Sequence, residues 1–213
     1  MRRVLLVRHA LTDFDIASNA GRFCGRADPP LNEKGRSEAA LLAERLPIAS
    51  SQVIFASPLT RSRETAQIIL GSSGVPLVVD ERLREIDYAH WDGLSKAEIE
   101  KQFGAEYVKF NENPLLFHPG GRALLDTCAA AAWDWLSLLT ADHVIAVTHK
   151  TWTRLLLCKI LGLGYNRYRN AFDIKIAGVT CLVNIETGWR LDAVNYEATP
   201  KRIYGPLWSP TKM

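Results

Sequence analysis

The chain has 213 residues, 47% of them hydrophobic and 23% charged, with a formal net charge of +3. That length suits one α/β domain with a sizeable core, and so slight a charge, with no Lys/Arg run, gives no support to a nucleic-acid partner. No apolar stretch approaches the ~20 residues of a membrane span, and the first strand begins too early to leave room for a cleavable signal, so a cytoplasmic protein is expected.

Val4 to Val7 is a short apolar run that reads as a buried strand ending in Arg8 and His9. Glu33 to Leu46 carries apolar residues at helical spacing, with Asn32 as N-cap and Pro47 as stop. A strand over Gln52 to Ala56, a helix over Thr60 to Leu70, a Gly71–Gly74 turn and a strand over Leu77 to Val79 follow. Ser95 to Phe103 and Glu106 to Glu112 read as two helical segments, and Asn113 to Gly121 as an irregular insertion. Leu124 to Leu139 reads as a long helix, His143 to Val147 as a strand and Lys150 to Leu161 as the helix after it. Strands are then expected at Asp173–Ile176, Val179–Ile185 and Trp189–Asn195, the last two joined through Thr187-Gly188. Alternating strands and helices followed by a hairpin predict a three-layer α/β/α sandwich with a mainly parallel, mixed sheet. The catalytic domain is expected over residues 1–198, with 199–213 as a poorly ordered tail. Cys24, Cys128, Cys158 and Cys181 are scattered, without metal-ligand spacing, and read as free thiols.

The chemistry is concentrated in a few blocks. Arg8-His9 sets a fixed cation beside a nucleophile that is partly neutral near pH 7, at a strand end where α/β folds place ligands. An arginine grips phosphate through paired N–H donors while an imidazole can attack phosphorus. Arg22-Phe23-Cys24-Gly25, Ser57-Pro58-Leu59-Thr60-Arg61-Ser62-Arg63-Glu64-Thr65-Ala66, Leu83-Arg84-Glu85 ahead of Trp91-Asp92-Gly93, and Thr148-His149 with Arg154 five residues on complete the series. In order and spacing these blocks, from about Arg3 to Asn195, resemble the histidine phosphatase superfamily, in its phosphoglycerate-mutase-like branch.

The resemblance implies the phosphoglycerate-mutase-like fold and assigns His9 as nucleophile, Glu85 as proton donor, and Arg8, Arg61 and His149 as phosphate ligands. For Glu85 the competitor is Glu81, a few residues away; for Arg61 and His149 the bland readings are a surface arginine and a helix-capping histidine. Glu85 must hold its proton to serve a leaving oxygen, so burial should raise its pKa. Asn19, Cys24, Gly25, Lys150 and Arg122 are candidates for the substrate's other end. The chain departs from the family at Ala10-Leu11, at Asp15 (where an asparagine is usual, a role open to Asn19), at Lys150-Thr151 (usually Gly-Gly) and at Arg122 (usually an acid). Neither metal nor organic cofactor is implied. A metal-independent phosphomonoesterase of histidine acid phosphatase type is expected, acting on a small phosphorylated metabolite, and a homodimer is compatible with the chain. Mutase-type phosphoryl transfer is the alternative within the family, and a non-catalytic phosphate-binding regulator the alternative outside enzymes.

Overall fold

The computed structural model describes residues 2–16, 21–48 and 51–196. Its sheet is built around β1 (Arg3–Arg8) and β4 (His143–Thr148), which pair in parallel with Arg8 opposite Thr148. β2 (Val53–Ala56) pairs in parallel with β4, and β3 (Leu77–Val79) with β2. On the other side of β1, β5 (Val179–Ile185) and β6 (Gly188–Tyr196) run antiparallel, giving the order β3-β2-β4-β1-β5-β6. The expected mixed, mainly parallel sheet is what forms.

Both faces of the inner strands are apolar because both are covered, as parallel sheets require. Leu5 and Val7 of β1 share one core with Leu42 and Leu46, which belong to or end α2 (Glu33–Arg45), and with Ala66 and Ile69 of α3 (Thr60–Leu70). Val4 and Leu6 point the other way, into a second core with α5 (Arg122–Ser137) and α6 (Lys150–Ile160), where Trp135 and Trp152 meet edge to face at 5.6 Å. Period-two alternation along one strand thus yields three layers. Asn32 caps α2 as expected, accepting from the Gly35 amide at 2.8 Å.

Three expectations need correction. The two segments around Phe103 form one helix, α4 (Lys96–Glu112), kinked at Phe103, whose backbone leaves helical geometry. The kink lets Ile99 and Tyr107 face the same small core with Trp91 and Phe110. Asp173–Ile176 is not a strand: a 3-10 turn and the short helix α7 (Tyr168–Ala171) precede it, and those four residues run as irregular chain to β5. The β5–β6 turn is Glu186-Thr187, with Gly188 as the first residue of β6 in a left-handed conformation. The tail 199–213 lies outside the described residues. Among the described residues no helix is long and apolar enough to cross a membrane.

Candidate active site

Strand register builds the centre of the site. Because Arg8 of β1 pairs with Thr148 of β4, the next residues of the two strands, His9 and His149, lie side by side with ring centroids 5.3 Å apart. The His9 amide donates to the Thr148 carbonyl at 3.0 Å and fixes that juxtaposition.

His9 is buried, and its Nδ1 lies 2.9 Å from the Ala10 carbonyl. A carbonyl can only accept, so Nδ1 carries the hydrogen and Nε2 keeps its lone pair in the neutral ring. Burial, reinforced by the charges of Arg61 and Arg8, pushes the His9 pKa down to about 3. His149 is also buried, and burial together with Arg61, His9 and Arg8 keeps it well below its ordinary value. Its Nε2 meets the Ser57 hydroxyl at 2.8 Å and the Ser62 hydroxyl at 3.3 Å, leaving Nδ1 without a partner.

Arg61, in the first turn of α3, is fully buried. Its Nη1 donates to the Ala27 carbonyl at 2.8 Å, and its Nη2 to the Cys24 and Gly25 carbonyls, each at 3.3 Å. The loop supplying those carbonyls is itself held by Asp92, whose carboxylate accepts from the Gly25, Arg26 and Ala27 amides. Arg8 donates Nη1 to the Ile174 carbonyl at 3.0 Å and Nη2 to Asp15 at 2.7 Å. The second Asp15 oxygen accepts from the Thr12 amide and hydroxyl. Burial disfavours the Asp15 charge, yet the surrounding positive groups and the Thr12 bonds hold its pKa below the usual value.

The Nε atoms of Arg8 and Arg61 and Nδ1 of His149 are all buried without a hydrogen-bond partner among the described residues. Buried polar atoms rarely stay unpaired; the two arginine Nε atoms are donors, and Nδ1 of His149 is one when its Nε2 accepts from a serine hydroxyl, so together they suit an anion beside His9.

Glu85 is buried at the N-terminus of α6, where its Oε2 accepts from the Thr151 amide at 2.9 Å and its Oε1 from the Trp152 and Ile86 amides at 2.9 and 3.0 Å. Burial raises its pKa against the pull of those amides. Oε1 is doubly engaged, so Oε2 has the free position for a proton. Glu81, the competing acid, is exposed and paired with Arg84.

Arg8, His9, Asp15, Cys24, Glu85 and Lys150 line a cavity of about 310 Å³, with Tyr88, Arg154 and Arg169 among the further wall residues. Cys24 is a wall and not a nucleophile, since burial pushes its thiol up to about 12. Two expected ligands belong elsewhere. Gly25 acts through its carbonyl on Arg61, and a Cβ there would come within 2.2 Å of the Ile86 carbonyl, so its role is close packing. Arg122 begins α5 on the surface, exposed and 3.2 Å from Asp126 one turn on, and is not among the residues that line the cavity. Asn19 lies outside the described residues. Sequence reasoning gave no role to Ser57, Ser62, Tyr88, Thr151 or Arg169. The first four lie in or next to the blocks that carry the resemblance, whereas nothing in the sequence singled out Arg169.

A family model described as histidine phosphatase superfamily (branch 1) matches residues 4–197. The chain is 34% identical over 173 residues to 2-carboxy-D-arabinitol-1-phosphatase of Triticum aestivum, covering 79% of this chain and 34% of that protein, so it spans about a third of that relative's length. It is 31% identical to 2,3-bisphosphoglycerate-dependent phosphoglycerate mutase of Bartonella quintana (strain Toulouse), covering 76% of this chain and 82% of that one. Among solved structures, a mycobacterial glucosyl-3-phosphoglycerate phosphatase superposes with a TM-score of 0.80 at 27% identity, covering 92% of this chain and all of the other. With Arg8, His9, Cys24, Glu85 and Arg154 of the family's blocks lining one cavity, Arg61 and His149 buried beside His9 outside its lining, and the family model matched over residues 4–197, the chain belongs to the histidine phosphatase superfamily, branch 1.

Proposed function

We propose that this chain is a metal-independent phosphomonoesterase, its catalytic domain spanning residues 1–198, that hydrolyses a small phosphorylated metabolite through a phosphohistidine. The observation that carries the reading is the neutral, oriented His9 beside three buried nitrogens, of Arg8, Arg61 and His149, that have no hydrogen-bond partner among the described residues. Phosphatases among its relatives support the hydrolytic outcome.

The His9 Nε2 lone pair attacks phosphorus as the ester P–O bond breaks. The Glu85 proton passes from Oε2 to the departing oxygen, leaving a neutral alcohol and a carboxylate. Positive charge gained by the phosphorylated imidazole is shared through Nδ1–H with the Ala10 carbonyl. Arg8, Arg61 and His149 hold the outer phosphoryl oxygens, whose charge is greatest in the transition state. Water then attacks phosphorus, Glu85 takes its proton, the P–N bond breaks, and phosphate leaves with His9 and Glu85 restored. Among the described residues no group of three metal-ligating side chains gathers, and no step above draws on one.

The test is phosphate release from p-nitrophenyl phosphate and a panel of phosphorylated metabolites in the presence of chelator, with 3-phosphoglycerate isomerisation run alongside. Release that persists in chelator and outpaces isomerisation is expected. Isomerisation faster than release would make the protein a mutase, and activity restored only by a specific ion would remove the metal-independent mechanism.

A further inference from the structure

Six basic residues line the cavity against two acids. Three of the six are balanced: Arg8 by Asp15, Arg22 by Glu98 at 2.9 Å, and Lys96 by Glu100 at 3.5 Å. Lys150, Arg154 and Arg169 make no ion pair among the described residues. Two of these are held in place by neutral groups. Arg154 donates Nε to the Phe172 carbonyl at 2.7 Å; Arg169 donates Nη1 to Asn111 at 2.8 Å and stacks over Phe110 at 4.2 Å. Their guanidinium groups are therefore anchored before any ligand arrives, which lowers the ordering cost of binding.

The two sets of cations act on different groups. Arg61 and Arg8 are the cations that bear on His9, whereas Arg169 and Arg154 bear on Tyr88, which bonds Thr151 across the cavity wall at 2.8 Å. Lys150, half-buried at the start of α6, has its pKa drawn down to about 8 by burial and by Arg154 and Arg8, with Asp173 and Glu85 opposing. Repulsion among these cations, which Asp173 and Glu85 offset only in part and without an ion pair among the described residues, is what an anionic ligand group would relieve.

We propose that Lys150, Arg154 and Arg169 form a second anion subsite, so that the substrate is a phosphomonoester whose alcohol half carries its own carboxylate or second phosphate. The inference rests on the phosphatase reading for the first subsite and names the substrate class. It places recognition of the substrate's other end, for which Arg122 was one candidate, at the wall formed by α6 and α7.

The test uses two matched pairs: 3-phosphoglycerate against glycerol 3-phosphate, and fructose 1,6-bisphosphate against fructose 6-phosphate. Each pair differs mainly by the extra anion. Hydrolysis and calorimetric binding are measured for the wild type, Lys150→Gly and Arg169→Met. The anion-bearing member of at least one pair should be preferred by roughly tenfold or more, as a charge-assisted hydrogen bond implies. The pair that shows it separates a carboxylate reader from a phosphate reader. In each variant that preference should fall about tenfold, through KM more than kcat. Equal handling of both members of both pairs, or a preference that survives both variants, would overturn the subsite. If nothing is hydrolysed, the phosphatase reading fails, and the binding preference still decides the second subsite.

Discussion

His9 and Glu85 are shifted towards their neutral forms by one physical cause: burial penalises an imidazolium and a carboxylate alike, lowering one pKa and raising the other. The reaction needs that combination, a free lone pair facing phosphorus and a proton ready for the leaving oxygen. The rate should therefore hold from about pH 3, where His9 is freed, up to the raised Glu85 pKa, and fall above it. In Glu85→Gln, an amide nitrogen replaces one of two oxygens that accept backbone N–H groups, and no acid remains. Hydrolysis of an alkyl phosphate should drop by about 10²–10⁴, the usual worth of a general acid, while p-nitrophenyl phosphate loses far less. Equal losses on both esters would take the proton-donor role away from Glu85. The sequence pointed to both residues because each sits in a block of fixed spacing, and the fold brings both to one cavity. Where Arg122 would sit was not legible in the same way, because a Gly-Gly turn allows many directions; the structure pairs it with Asp126 and leaves it out of the cavity lining.

Arg61 shows how elements outside the catalytic strands set the site. Its guanidinium is held by three carbonyls of the 24–27 loop, and that loop is strapped to Asp92 by three amides. Asp92 thus positions Arg61 without approaching the reacting atoms. Asp92→Asn keeps one acceptor oxygen but faces the remaining amides with a donor, which costs about 1–3 kcal/mol for a buried group left unsatisfied. It should lower kcat and weaken competitive inhibition by inorganic phosphate, leaving the pH profile in place. A shifted pH profile would mean that Asp92 acts on the proton chemistry instead. Most element boundaries were legible: α3 and β3 lie where their apolar periods put them, and the Asn32 cap fixed the start of α2. The failures at Asp173–Ile176 and at the α4 kink share a reason. Both segments follow tertiary packing, around Tyr168 and around Phe103, and not a local period.

For the molecule as a whole, burying neutral histidines makes folding pH-dependent. His9 falls to about 3, His118 to about 4, and His149 well below its ordinary value, all chiefly through burial. Below the ordinary histidine pKa the unfolded chain takes up protons that the native state refuses, so stability is lost as pH falls from about 6.5 towards those depressed values. Glu85 works in the opposite sense, since its raised pKa gives stability below the unfolded value that is lost as pH rises through the folded one. Three groups against one leave a net acid loss with a slope of up to about 1.4 kcal/mol per pH unit for each histidine. Tm should fall between pH 7 and pH 5, and His118→Phe, which keeps a ring against Tyr88, should flatten the fall. A Tm unchanged or rising over that range would contradict the neutral, buried histidines. The sandwich itself was legible because alternation and apolar runs are properties of single strands. The pairing of β1 with β4, which brings His9 to His149, is a contact between residues 140 apart.

In the proposed mechanism His9 carries the phosphoryl group between the two steps. The protein is mixed with a phosphomonoester, quenched in alkali within the first turnovers so that an acid-labile phosphohistidine survives, and mapped by mass spectrometry. Phosphate is expected on His9 alone, absent in His9→Ala; phosphate on His149, or turnover with no phosphorylated histidine, would overturn His9 as the nucleophile.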